Sequence, residues 1–249
     1  MANETIFGTK AKEYAFGRPS YAPAAIDRIA ADILEEGDLI ADIGSGTGIF
    51  SREFLVRGYD VFGVEPNEAM RSEAEKLYGE NPLFHSVSAT AENTRLPEHS
   101  FSLITAASAF HWFDIQKFHK ECRRILKPNG TVCIIANARK ADSFTEKQHL
   151  LCEQYCKGFE SLTHGIDKTL RNADAFFNGN FCIERFDFPL TYTKQKFIAR
   201  SLSSSYAPDK NTVEYEGYKH SLESLLDEVF PDNEILIANE TVMLWGTVE

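Results

Sequence analysis

Apolar positions in the first half of the chain alternate between two rhythms. From residue 23 to 36, Ile26, Ile29, Ile33 and Leu34 fall on one face at helical spacing; Pro23 suits the first turn and Gly37 the stop. Leu39–Ile43 is then a short, mostly apolar run, the mark of a buried strand. A second helix carries Phe50, Phe54 and Leu55 and ends near Gly58, and a strand follows over Val61–Glu65. Met70, Ala74 and Leu77 mark the next helix, with Asn67 as its N-cap. Leu83–Val87 and Leu103–Ala107 read as a third and a fourth strand. Ile115, Phe118, Cys122, Ile125 and Leu126 make an amphipathic helix behind Asp114. The turn Pro128-Asn129-Gly130 leads into a fifth strand over Thr131–Ala136.

The rhythm changes after residue 138. Residues 142–178 look helical and aromatic-rich, Phe181–Leu190 alternates like a strand, 195–230 is helical with a break near Pro208, and Val242–Val248 reads as a closing strand. Alternating strands and helices predict an α/β fold, a doubly wound, mostly parallel seven-stranded sheet of Rossmann-like type. The expected organisation is a ligand-binding core over 1–138, a largely helical cap and substrate region over 139–230 inserted after strand 5, and a closing strand within 231–249. Aromatic residues of the cap are expected to be mostly its own core.

Composition narrows the class of partner. A net charge of −11 and a pI near 5.2 argue against non-specific binding to nucleic acid or anionic membrane. The five cysteines include no C-x-x-C pair and suggest a reduced, cytoplasmic protein. No apolar leader is visible at the N-terminus, no run reaches the roughly 18 apolar residues of a membrane helix, and no metal-ligand set is apparent.

The sharpest local signal is Ala41-Asp42-Ile43-Gly44-Ser45-Gly46-Thr47-Gly48, three alternating glycines directly after a strand. Such a loop lets backbone come close to a ligand beyond the carboxyl end of the sheet. Its spacing is not G-x-G-x-x-G, since position 49 is Ile49, and no lysine follows as in a Walker loop. Phosphate cradling is therefore not favoured. Glu65 ends the second strand, where a doubly wound fold meets a ribose and a carboxylate can accept from both sugar hydroxyls. Loop and acid together suggest a nucleoside without a pyrophosphate.

Asp42–Gly48 resembles motif I of class I S-adenosylmethionine-dependent methyltransferases. Val64-Glu65-Pro66-Asn67-Glu68-Ala69-Met70 resembles the ribose segment of that family, Ser88–Pro97 the adenine loop, and Arg124–Gly130 the segment before the fifth strand. The four stand in family order across residues 38–136. Tyr14 with Arg18-Pro19-Ser20-Tyr21, and Ala109–Asp114, are similar to the small-molecule, trans-aconitate methyltransferase-like group. The resemblance implies S-adenosylmethionine as cofactor and S-adenosylhomocysteine as product. It implies backbone of Gly44, Ser45, Gly46 and Gly48 beside the methionine portion, Asp42 orienting the loop, Glu65 on the ribose, and Pro66, Asn67 and Met70 beside the adenosine. Ala91 and Glu92 would meet the adenine, Ala107 and Ser108 the sulfonium, with Tyr14, Arg18, His111 and Trp112 around the cofactor.

Methyl transfer asks mainly for alignment and exclusion of water. A carboxylate acceptor needs no base at pH 7; a hydroxyl or amine can need one. His111 is the candidate base, or else one wall of the cofactor pocket together with Trp112. Arg18 is a candidate for the cofactor carboxylate or an acidic substrate, and Tyr21 and Tyr206 are candidate substrate contacts. The expected activity is methyl transfer to a small-molecule acceptor, on carboxylate or hydroxyl oxygen. Rivals are a regulatory protein that binds the cofactor without turnover, an NAD-dependent oxidoreductase, disfavoured by the glycine spacing, and a nucleic-acid methyltransferase. The last is disfavoured by charge and by Ser108-Ala109-Phe110-His111 where amino-methylating members carry [DN]-P-P-[YF]. Oligomeric state is not readable from the sequence.

Overall fold

In β1 (Leu39–Ile43), Ile40 packs to one side of a sheet and Ala41 to the other, both fully buried. A computed structural model describes residues 18–248 and shows why such two-faced runs recur. β2 (Asp60–Val64), β3 (Phe84–Val87), β4 (Phe101–Ala107) and β5 (Leu126–Arg139) lie parallel with β1, and β6 (Phe181–Asp187) and β9 (Asn239–Gly246) complete seven strands in the order β3-β2-β1-β4-β5-β9-β6. β9 runs antiparallel to both its neighbours. Leu103 and Ile104, Cys133 and Ile134, Met243 and Leu244 repeat the alternation between two cores.

Helices cover both faces. α1 (Pro23–Asp32), α2 (Ser51–Leu55) and α3 (Glu68–Tyr78) share one core with the sheet through Ile26, Ile29, Phe54 and Ala74. α4 (Ile115–Ile125) covers the other face through Phe118, Cys122 and Ile125. The expected N-caps form: Asn67 accepts from the Met70 N–H and Asp114 from the Lys117 N–H. The expected turn at Pro128-Asn129-Gly130 is instead an irregularity of β5, where pairing passes from Phe101↔Leu126 to Leu103↔Thr131.

After β5 come α5 (Ser143–Tyr155) and α6 (His164–Phe177). α6 packs on the sheet face, with Phe176 stacked on Phe118 at 5.4 Å. β7 (Leu190–Thr193), α7 (Lys194–Leu202), α8 (Val213–Val229) and β8 (Glu234–Ile237) form a separate layer, in which β7 and β8 pair antiparallel. Its small core joins Phe144 of α5 to Leu190, Tyr192, Phe197, Leu222, Ile235 and Ile237. The strand expected over 181–190 is thus two strands, and β8 belongs to this layer rather than to the closing strand. No helix among the described residues is long and apolar enough to cross a membrane.

Candidate cofactor and acceptor site

The loop after β1 bends because Gly44 and Gly46 adopt left-handed backbone, at φ +69° and +57°. Most of its N–H groups are used internally. Those of Gly44 and Ser45 donate to the Val64 carbonyl, that of Gly48 to the Ser45 carbonyl, and that of Gly46 to Glu65 Oε2 at 3.0 Å. A loop with its donors so committed is a poor phosphate cradle, as the missing lysine suggested. The three glycines are not equivalent. A Cβ at Gly44 would stand 2.7 Å from the Ala109 Cβ, and one at Gly48 would stand 2.7 Å from the Tyr78 ring, so both make room for the protein's own side chains. Around Gly46 a Cβ would meet nothing within 4 Å, which makes it the position open to a ligand.

Two buried carboxylates brace the loop. Asp42, 1% exposed, accepts from the hydroxyls of Ser51 at 2.6 Å and Thr105 at 2.9 Å, tying β1 to α2 and β4. Burial pushes its carboxyl up to about 6 against the pull of those hydroxyls. Glu65 closes the far side: Oε1 accepts from the Asn67 N–H at 2.8 Å while Oε2 holds Gly46. Burial raises its carboxyl too, and the two N–H groups oppose that. A carboxylate has about four acceptor positions, so lone pairs remain for a diol. Asn67 and Met70 are buried beside it and Pro66 half-buried. Ala91 is buried, and Glu92 accepts from the Asp114 N–H at 3.0 Å.

A cleft opens at the carboxyl ends of β1, β4 and β5. Gly44, Ser45 and Gly46 line its floor with Thr47, and Ala107 and Ser108 one wall. Arg18 and Tyr21 come from the segment before α1, and the Tyr21 hydroxyl donates to Ser108 Oγ at 3.0 Å. Ser108 is held at φ +54°, a strained conformation for a residue with a Cβ, at the point where β4 leaves the sheet. Three further polar lining residues carried no role in the sequence reading: Thr47, Asn137 and Arg200. Thr47 Oγ1 is buried with no hydrogen-bond partner. Asn137 could have been noticed as an amide at the sheet's ligand edge after Ile134-Ile135-Ala136. Arg200 lies on a cap helix and gives no sequence signal.

Other candidates stand elsewhere. His111, in a short 3-10 turn (Phe110–Trp112), packs against the first turn of α6, where a Cβ at Gly165 would lie 3.2 Å from its ring. Burial, then the charges of Lys168, His164 and Arg18, push the imidazole down to about 4, leaving a neutral, weak base at pH 7. Trp112 lies 4.9 Å from His111, tilted and 39% exposed. Neither ring lines the cleft. Tyr206 packs edge-on against Phe159 at 5.0 Å within the cap. Tyr14 lies outside the described residues.

A methyltransferase domain family matches residues 41–134. An uncharacterized methyltransferase of Mycobacterium tuberculosis is 32% identical over 133 residues, 53% of this chain and 52% of that one. An uncharacterized methyltransferase-like protein of Schizosaccharomyces pombe is 26% identical over 203 residues, 80% and 78% of the two chains. The chain spans about half the length of the first curated relatives it matches. Among solved structures, a protein of Anaeromyxobacter dehalogenans, provisionally a type II methyltransferase, superposes with a TM-score of 0.69 over 93% of this chain and 98% of its own at 19% identity. A phosphoethanolamine N-methyltransferase of Haemonchus contortus, solved with phosphomonomethylethanolamine and S-adenosylhomocysteine, covers 98% of this chain and 58% of its own at TM-score 0.53 and 19% identity. At these identities the structures share the fold alone, a Rossmann-like methyltransferase fold, and the match to the methyltransferase domain family covers residues 41–134, the stretch that carries the ordered motifs.

Proposed function

We propose that the protein transfers a methyl group from S-adenosylmethionine to an oxygen, carboxylate or hydroxyl, of a small molecule. The observation that carries this is Glu65, a buried carboxylate at the end of β2 that grips the Gly46 N–H and retains acceptor capacity beside the open face of Gly46. The unpartnered Thr47 hydroxyl in the same cleft supports a polar ligand there. The residues present therefore fit the cofactor. Glu65 would hold the ribose hydroxyls, with Pro66, Asn67 and Met70 beside the adenosine and Ala91 and Glu92 toward the adenine. The Gly44–Gly48 loop and Arg18 would meet the methionine portion, with Ala107 and Ser108 nearest the sulfur. When bound, S-adenosylmethionine supplies a methyl group already activated on a positive sulfur.

What remains for the chain is placement and exclusion of water. Asp42 fixes the loop from beneath, and the Tyr21–Ser108 hydrogen bond fixes the wall opposite. His111, neutral and poorly basic, is a weak candidate for a general base, and that favours an acceptor already ionised at pH 7. The net charge of −11 supports a small acceptor over nucleic acid or an anionic membrane, and five cysteines without a C-x-x-C pair support a reducing, cytoplasmic setting. The narrower likeness to the trans-aconitate group rests on the sequence segments alone.

Isothermal titration with S-adenosylmethionine, S-adenosylhomocysteine and NAD, followed by transfer of labelled methyl to a panel of small acids, tests the proposal. Binding of the first two, and label in an ester, is expected. Binding of NAD with neither of the others would overturn it.

A further inference from the structure

Several arginines of this fold sit beside carboxylates. Arg28 reaches Asp32 and Glu184, Arg57 reaches Asp27 and Glu53, Arg124 reaches Glu121, and Arg185 reaches Glu240. Arg139, at the end of β5, and Arg200, on α7, are different: among the described residues neither forms an ion pair with an acid. The charged neighbour acting on Arg139 is Arg200, followed by tyrosines. Arg139 Nη1 donates to the Gln148 side-chain oxygen, but Nη2 is buried without an acceptor. Arg200 Nε is buried without a partner, and so is the hydroxyl of Tyr192.

These groups are packed together. The Arg139 guanidinium lies 5.2 Å over the Phe197 ring, that of Arg200 lies 5.9 Å over Tyr192, and the two rings are 5.7 Å apart, edge to face. The cluster also adjoins the cleft. Arg200 lines it, and so does Asn137, which shares a face of β5 with Arg139 by strand alternation. Two like charges with unused buried donors are unfavourable together until an anion completes them. Acids were available to neutralise them, since the chain carries 37 Asp and Glu against 26 Lys and Arg. The guanidinium fork matches a carboxylate or a phosphate group.

We propose that Arg139, Arg200 and the Tyr192 hydroxyl form an oxyanion-binding site, and that the methyl acceptor is an anionic small molecule with one carboxylate or phosphate group held there. The role as acceptor site rests on the methyltransferase function proposed above; the anion site itself does not.

Isothermal titration of the full chain with glutarate and with inorganic phosphate, each with and without S-adenosylhomocysteine, tests this, with 1,5-pentanediol as neutral control. One anion is expected to bind and the diol not to. Preference for glutarate identifies a carboxylate site and preference for phosphate a phosphate site. Arg139→Gln and Arg200→Gln should each weaken the anion at least ten-fold and leave S-adenosylhomocysteine affinity within about three-fold. Tyr192→Phe keeps the ring packing and should weaken the anion about three-fold, so the test survives an arginine variant that fails to fold. Failure of both anions to bind, or binding that none of the substitutions weakens, overturns the site. Anion binding without any S-adenosylhomocysteine binding upholds the site and removes the methyltransferase function instead.

Discussion

Asp42 is a carboxylate that the fold holds at a loss, and Asp42→Asn should reveal it. The side chain is 1% exposed, and burial raises its carboxyl from 3.8 to about 6. At 1.36 kcal/mol per pH unit, the ionised form is disfavoured in the fold by about 3 kcal/mol. The sign follows from proton binding. Between pH 3.8 and about 6 the folded state holds this proton more tightly than the unfolded chain, so stability from this group is full below that window and falls as pH rises through it. An asparagine keeps the shape and stays neutral. Its oxygen can accept from Thr105, but its amide must donate to Ser51, whose hydroxyl then gives up its present bond at a cost of about 1 kcal/mol. The net expectation is a gain of about 2 kcal/mol at pH 7. Urea unfolding of parent and variant at pH 4 and pH 7 measures both quantities. The gain should appear at pH 7 and shrink or vanish at pH 4. A variant weaker than the parent at pH 7, with an unchanged slope between the two pH values, would refute the argument that desolvation outweighs the hydroxyl bonds.

Gly44→Ala and Gly46→Ala should separate in urea unfolding. Both pay for left-handed backbone, about 1 kcal/mol, but only Gly44→Ala drives a Cβ into Ala109, adding about 1–3 kcal/mol of overpacking; equal losses would contradict the distinction. Gly46→Ala should instead weaken S-adenosylhomocysteine in titration, and unaltered affinity would move the ligand away from that position. His111→Gln should leave kcat within a few-fold, and the parent rate profile should show no limb near pH 6.5, because burial pushes the folded imidazole down to about 4; a loss of about 100-fold, typical of a removed general base, would restore the catalytic role.

The parallel core was readable because its central strands β1 and β4 are buried on both sides. Ile40 and Ala41, or Leu103 and Ile104, leave no polar face to confuse the pattern. Glu65 was readable for a related reason, as a carboxylate ending such a run. Its bond to Gly46 was not, since it depends on how the loop folds back over β2. β7 escaped notice: Leu190 and Tyr192 alternate in phase with the preceding strand, and its partner β8 lies far along the chain. Arg139 and Arg200 carry no local pattern at all; only the approach of β5, β7 and α7 makes them a pair. Gly48 looked like Gly46 in the sequence, and only the Tyr78 ring tells them apart.

The segment from 188 to 238 leaves the main sheet at Asp187 and rejoins it at Asn239. Asp187 pairs directly with Glu240, and the Phe188 N–H donates to the Asn239 carbonyl. To the sheet, everything between is one very long hairpin loop. Closing such a loop becomes costlier only slowly with length, by about 0.6 kcal/mol per doubling. The core therefore places little constraint on what the excursion contains, and residues such as Tyr192 and Arg200 can be exchanged wholesale through insertions, deletions or recombination at a single point. On the function proposed above, acceptor choice and methyl-donor binding would in that sense be separately heritable parts of one chain.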